Sequence, residues 1–169
     1  MADAYLDVDG VVVEPAALTH SGARATALAA RGQFAAVVEC RKSETTETVV
    51  LDVEVERPQT PVKDIRASER VAAVFSLEAD TLPEALALRE DFPDVPHLNL
   101  RDRELPRSLC LYDQVWTELK RSWTGTGFIE RIRWWLRLTA RGKLHGEDQP
   151  LEPLMFSHGF DLVVPSGFG

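Results

Sequence analysis

The sequence predicts an α+β domain, and three observations carry that expectation. An alanine-rich segment with helix punctuation occupies residues 15–32. Alternating and then fully apolar runs follow between residues 34 and 78, and a strongly amphipathic helical pattern fills residues 125–142. Helix, antiparallel meander, loop and helix in that order is an α+β arrangement.

Each element has a local justification. AYLDVDGVVV places an Asp9-Gly10 turn signal between apolar residues, so residues 1–13 form a short hairpin or an extended arm. In PAALTHSGARATALAARG, Pro15 suits a first helical turn and Gly32 supplies the stop. FAAVVECR (34–41) reads as a strand, KSETTE as a polar connection, and TVVLDVEVE (48–56) as a second strand. In that strand Leu51, Val53 and Val55 face one way and Asp52, Glu54 and Glu56 the other, as in a half-buried antiparallel strand. Pro58 and Pro61 close it, and RVAAVFSLE (70–78), apolar on both faces, reads as a central strand. DTLPEALALREDFP (80–93) predicts a short helix ahead of an extended VPHLNL, in a region fragmented by Pro83, Pro93 and Pro96. In the last helix Phe128, Ile132, Trp135 and Thr139 form a core-facing stripe, Arg133, Arg137 and Arg141 form another, and Gly142 is a C-cap.

At 169 residues the chain has the size of one domain, with residues 154–169 as a C-terminal tail. A formal charge of −8 argues against nucleic acid, whose phosphates need Lys and Arg to displace their counterions. No apolar run reaches bilayer length and the N-terminus lacks a signal-peptide pattern. Two cysteines without metal-ligand spacing make no disulfide framework, so a reducing cytoplasm is expected. A protein or small-molecule partner is therefore the expected target.

The residues able to do chemistry gather in one stretch: His97, Asn99, Arg101, Asp102, Arg103, Cys110, Tyr112 and Asp113. A cysteine between two leucines is ordinarily a small core residue. As a nucleophile it would need partial exposure and access to the thiolate form. Acyl transfer would also need a donor for the developing oxyanion, and the Asn99 amide is of the right type.

A resemblance gives this stretch a meaning. His97-Leu98-Asn99, Leu109-Cys110-Leu111, Trp123-Thr124-Gly125 at the opening of a helix, and Asp148-Gln149-Pro150-Leu151-Glu152-Pro153 follow one another. In the same order they resemble the His-Pro-Asn triplet, Leu-Cys-Leu loop, Trp-Ser-Pro-like helix opening and Asp-Asp-Pro-Leu-x-Pro stretch of ubiquitin-conjugating enzymes. The run from Pro106 to Pro153 resembles more narrowly the prokaryotic branch of that family, found in bacterial antiviral (CBASS) operons. The chain departs from the pattern at Leu98, which replaces the triplet's proline, and in the longer spacings from Asn99 to Cys110 and on to Trp123. It also has too few residues after Pro153 for the C-terminal helix pair of eukaryotic members. It is either a minimal version or the conjugating part of a longer polypeptide.

The resemblance implies a ubiquitin-conjugating-enzyme (UBC-like) fold and a cysteine acyltransferase. Cys110 would take a protein C-terminus as a thioester and pass it to an amine on an acceptor protein. The donor would be a cGAS-like nucleotidyltransferase or a ubiquitin-like protein, loaded by an adenylating (activating) enzyme. No metal or cofactor is implied, because activation is completed upstream. Asn99 would hold the oxyanion, or brace the loop by hydrogen bonds to backbone. His97 reads as a loop brace rather than a base. His145, beside the expected acceptor loop, would take a proton from an attacking lysine or be an ordinary surface histidine. Asp113 and Asp148 would act electrostatically or be solvated loop acids, and Cys40 reads as structural. Trp123, Trp134 and Trp135 read as packing residues, with Trp134 and the arginine stripe as either a partner surface or a solvated face. Two rivals remain open from the residues: a catalytically silent scaffold, and a free-standing cysteine hydrolase with a histidine set against Cys110.

Overall fold

The computed structural model describes residues 4–32 and 34–144. Among the described residues the fold is α+β, with a seven-stranded antiparallel sheet and three α-helices. The strands are β1 (Val11–Val13), β2 (Ala35–Lys42), β3 (Thr46–Glu54), β4 (Ser68–Ser76), β5 (Glu84–Ala87), β6 (Leu98–Asn99) and β7 (Arg107–Leu109). They lie side by side as β1-β2-β3-β4-β5-β7-β6, every pair antiparallel. The helices are α1 (Ser21–Ala29), α2 (Trp116–Leu119) and α3 (Gly125–Ala140).

Period-2 alternation sorts the meander as expected. Leu51, Val53 and Val55 are buried while Asp52, Glu54 and Glu56 point outward. The strand apolar on both faces, β4, is the middle strand of the sheet, and Val71, Ala72, Ala73 and Phe75 on it are all buried. Helices α1 and α3 pack against each other and on one face of the sheet. There Phe128, Ile132, Trp135 and Thr139 enter the core as their helical spacing requires. Thr124 caps α3 by accepting the Gly127 N–H on its Oγ1 at 3.0 Å.

Over the described residues 4–13 the N-terminal stretch runs as an arm. Its β1 segment pairs with β2 at one edge of the sheet. The residues before it run to the far side of β4, where Leu6 N–H donates to the Leu88 carbonyl at 2.7 Å and Tyr5 bridges Arg89. Val8 packs on the second face with Val50, Ala72, Leu86 and Leu88. The arm thus covers apolar surface that the helices leave open.

Two expectations are corrected. The helix anticipated within residues 80–93 is strand β5, paired with β4 on one side and β7 on the other. Ala85, Leu86, Ala87 and Leu88 are all buried, and burial on both faces overrides alanine's preference for helix. The helix anticipated over 15–32 is divided: Pro15–Ala17 form a 3₁₀ turn, Leu18 and His20 are extended, and α1 starts at Ser21. The break is fixed by Glu47 of β3, whose carboxylate accepts the backbone N–H groups of Thr19 and His20 at 2.8–2.9 Å. His20 then caps α1, its Nδ1 accepting the Gly22 N–H at 3.1 Å.

Candidate active site

The site is built on the last hairpin of the sheet. β6 and β7 pair Leu98 with Leu109 and Asn99 with Ser108. The ladder continues one step past the strands, where the Cys110 N–H donates to the His97 carbonyl at 2.9 Å. Cys110 therefore stands opposite His97, and the strand's alternation decides its exposure. Leu109 and Leu111 on either side of it are buried, with Leu98 and Leu109 in the main core. Cys110 is turned the other way and is half-buried. By contrast Cys40 on β2 is fully buried in the core, in keeping with its structural reading.

His97 adopts φ +61°, an uncommon region for a residue with a Cβ. This conformation turns the chain from the Val95-Pro96 approach into the two-residue β6. The triplet histidine is thus a backbone corner of the hairpin whose carbonyl anchors Cys110.

Asn99 is exposed, and its side chain lies along the hairpin. Nδ2 donates to Ser108 Oγ at 2.9 Å and to the Leu109 carbonyl at 3.4 Å. The amide is therefore held directly before Cys110 on the adjacent strand. Ser108, fully buried, was not among the residues the sequence singled out. Only the pairing register makes it a neighbour of Asn99, and the intervening residues 100–106 hide that register in the sequence.

Burial pushes the Cys110 thiol above its ordinary value. The nearby Asp113 carboxylate pushes the same way, and the Arg131 guanidinium opposes both. Arg131 on α3 reaches this loop through Nε, which donates to the Leu111 carbonyl at 2.7 Å. Arg131 lies outside the Arg133, Arg137 and Arg141 stripe, and no motif in the sequence marks its reach to this loop. Burial likewise raises the Tyr112 phenol, again opposed by Arg131. The site is a weakly acidic thiol in a partly desolvated, charge-flanked rim.

The arginine stripe is committed elsewhere. Arg133 Nε donates to the Glu54 carbonyl at 3.1 Å and its guanidinium lies over Phe34, while Arg137 and Arg141 pair with Glu56. These contacts tie α3 to the end of β3. After Cys110 the chain runs through α2, where Trp116 Nε1 and Lys120 Nζ both donate to the Asp80 carboxylate at 2.7 Å. Trp123 packs against Phe75, Trp116 and Phe128. A cleft of about 710 Å³ opens beside these rings at the first turns of α1 and α3, and Cys110 does not line it. His145, Asp148 and the Pro150–Pro153 stretch lie outside the described residues.

Among the described residues no helix is long and apolar enough to cross a membrane. Nor do these residues contain a group of three or more His, Cys, Asp or Glu that could hold a metal ion. A family model described as prokaryotic E2 family A matches residues 16–169. No curated protein and no solved structure matches the chain.

Proposed function

Because the chain belongs to prokaryotic E2 family A, we propose that it is a ubiquitin-conjugating-like acyltransferase of UBC-like fold, with Cys110 as the acyl carrier. The observation that carries this reading is the half-buried Cys110 at the end of the terminal hairpin, with its backbone held by His97 and the Asn99 amide anchored alongside. That placement supports a thiol able to meet another protein's tail while remaining partly shielded from water.

In the proposed reaction the Cys110 thiolate attacks the carbonyl carbon of an activated protein C-terminus presented by an adenylating enzyme. The new C–S bond forms as the bond to that enzyme's leaving group breaks. An amine of the acceptor then attacks the thioester carbon, the C–S bond breaks, sulfur departs as thiolate, and the amine proton passes to base or solvent. Asn99 steadies the tetrahedral oxyanion by exchanging its long 3.4 Å bond to the Leu109 carbonyl for one to the oxyanion, while Ser108 keeps the other Nδ2 hydrogen. The donor proposed is a cGAS-like nucleotidyltransferase of a CBASS operon or a ubiquitin-like protein, and the setting is the bacterial cytoplasm. His145 is retained in this proposal as the acceptor-side base.

The test is incubation with the neighbouring adenylating enzyme, ATP and the donor protein, followed by a non-reducing gel. A larger thiol-sensitive species is expected, which Cys110→Ser converts to a thiol-resistant ester or abolishes. An adduct that persists in Cys110→Ala ends the acyl-carrier reading. No adduct from wild type leaves the silent scaffold in its place.

A further inference from the structure

We infer that Arg131 is a positioning residue for Cys110, a guanidinium clamp that fixes the turn presenting the sulfur. Its role in conjugation rests on the acyl-carrier reading; its hold on the thiol does not.

The segment Cys110–Leu111 is gripped from two elements. On the sheet side, the His97 carbonyl accepts the Cys110 N–H at 2.9 Å. On the helix side, Arg131 Nε donates to the Leu111 carbonyl at 2.7 Å. Leu111 lies beyond the last paired residue of β7, so the helix supplies a hold where the named strand pairing has ended. The guanidinium is itself held in place. Its central carbon lies 4.1 Å from the ring centroid of Trp134, one turn along α3, and 5.5 Å from that of Tyr112 in the cysteine loop.

These contacts select arginine. A planar guanidinium can lie against an aromatic face while an edge N–H meets a carbonyl, whereas an ammonium is a compact point charge without a plane. Arg131 is also the cation that opposes burial and Asp113 at the Cys110 sulfur. His97, the residue before β6, is the titratable residue paired through its backbone with Cys110, and Tyr112 and Asp113 are those of its own loop. One side chain therefore sets both the direction of the sulfur and the charge beside it.

Two measurements on the intact chain test this. The first is the pH profile of Cys110 carbamidomethylation by iodoacetamide, read by peptide mass spectrometry, which needs no partner protein. Arg131→Gln should move the midpoint upward, and Arg131→Lys should leave it close to wild type. The second is the rate of thioester loading from the activating enzyme, where both variants should fall by about tenfold or more because the turn is no longer fixed. Circular dichroism confirms that each variant is folded, and Arg131→Lys serves if Arg131→Gln is not. A wild-type midpoint in folded Arg131→Gln, or wild-type loading by Arg131→Lys, overturns the clamp while the acyl-carrier reading stands. A wild type that never loads removes that reading, while an upward midpoint in Arg131→Gln still upholds the hold on the thiol.

Discussion

Asn99 and Ser108 face each other across the terminal hairpin, and the asparagine Nδ2 donates to the serine Oγ at 2.9 Å. This bond fixes an exposed amide to a fully buried hydroxyl, so the amide is anchored before any acyl group arrives. Asn99→Ala should leave thioester loading within about twofold and slow transfer to the amine by about a hundredfold, the usual loss for an oxyanion donor. Ser108→Ala keeps the amide but removes its anchor, and a several-fold slowing of transfer is expected. Single-turnover loading and discharge assays separate the steps. Equal loss of both in Asn99→Ala would assign the residue to bracing alone.

Glu47 is fully buried at the junction of α1 and β3. Burial alone would raise its pKa, but Lys42 Nζ, Thr19 Oγ1 and the backbone N–H groups of Thr19 and His20 all donate to it and bring it down to about 2. A carboxylate depressed in the folded state stabilises above its ordinary value near 4.5 and loses that contribution as pH falls towards 2. Glu47→Gln should therefore cost about 3 kcal/mol at pH 7, with the gap to wild type closing between pH 4.5 and 2. Urea unfolding at a series of pH values measures it. A gap independent of pH would mean that the carboxylate's charge is not what holds α1.

The meander and the core face of α3 were legible because a strand with one buried face, or a helix on a sheet, writes its burial into a period of 2 or 3.6. β5 was not legible, since Ala85-Leu86-Ala87-Leu88 is apolar throughout and has no period to distinguish strand from helix. The break before α1 depends on Glu47, many residues later, and no local propensity signals it. Glu47, Glu69 and Arg89 are charged side chains that composition assigns to the surface, yet all three are buried. Arg89 and Glu69 satisfy each other at 3.1–3.2 Å, a pairing visible only once β4 and β5 are adjacent. At the candidate site, motif order singled out Cys110, Asn99 and His97, which the hairpin sets side by side. Ser108 and Arg131 escaped because their places follow from strand register and from the way α3 crosses the loop.

Gly125 opens α3 where that helix touches α1. A Cβ there would lie 2.5 Å from both the carbonyl carbon and oxygen of Ala25, and backbone on a packed helix cannot move aside as a side-chain tip does. Gly→Ala in a helix ordinarily gains up to about 1 kcal/mol. Here the sign reverses, and Gly125→Ala should lose about 2–3 kcal/mol through overpacking. For a chain of this size that lowers Tm by about 5–10 °C. Differential scanning calorimetry reads it, and an unchanged or raised Tm would show that the two helices separate at negligible cost.

The charge balance at Cys110 makes the last prediction. Burial is the largest influence raising the thiol's pKa, and the exposed Asp113 adds to it. Asp113→Asn removes an anion that disfavours the thiolate, so the pH midpoint for iodoacetamide alkylation should move downward and the rate at pH 7.5 should rise. The shift should be greatest at low ionic strength, since Asp113 is exposed and its field is screened within about 8 Å at physiological salt. Cys40, sealed in the core, should remain unmodified in the folded protein and provide the internal control. The Asp113→Asn shift should be opposite in direction to that of Arg131→Gln, because the two charges act on the same sulfur with opposite sign. Coincident profiles for wild type and Asp113→Asn across low and high salt would show that desolvation alone sets the reactivity of Cys110.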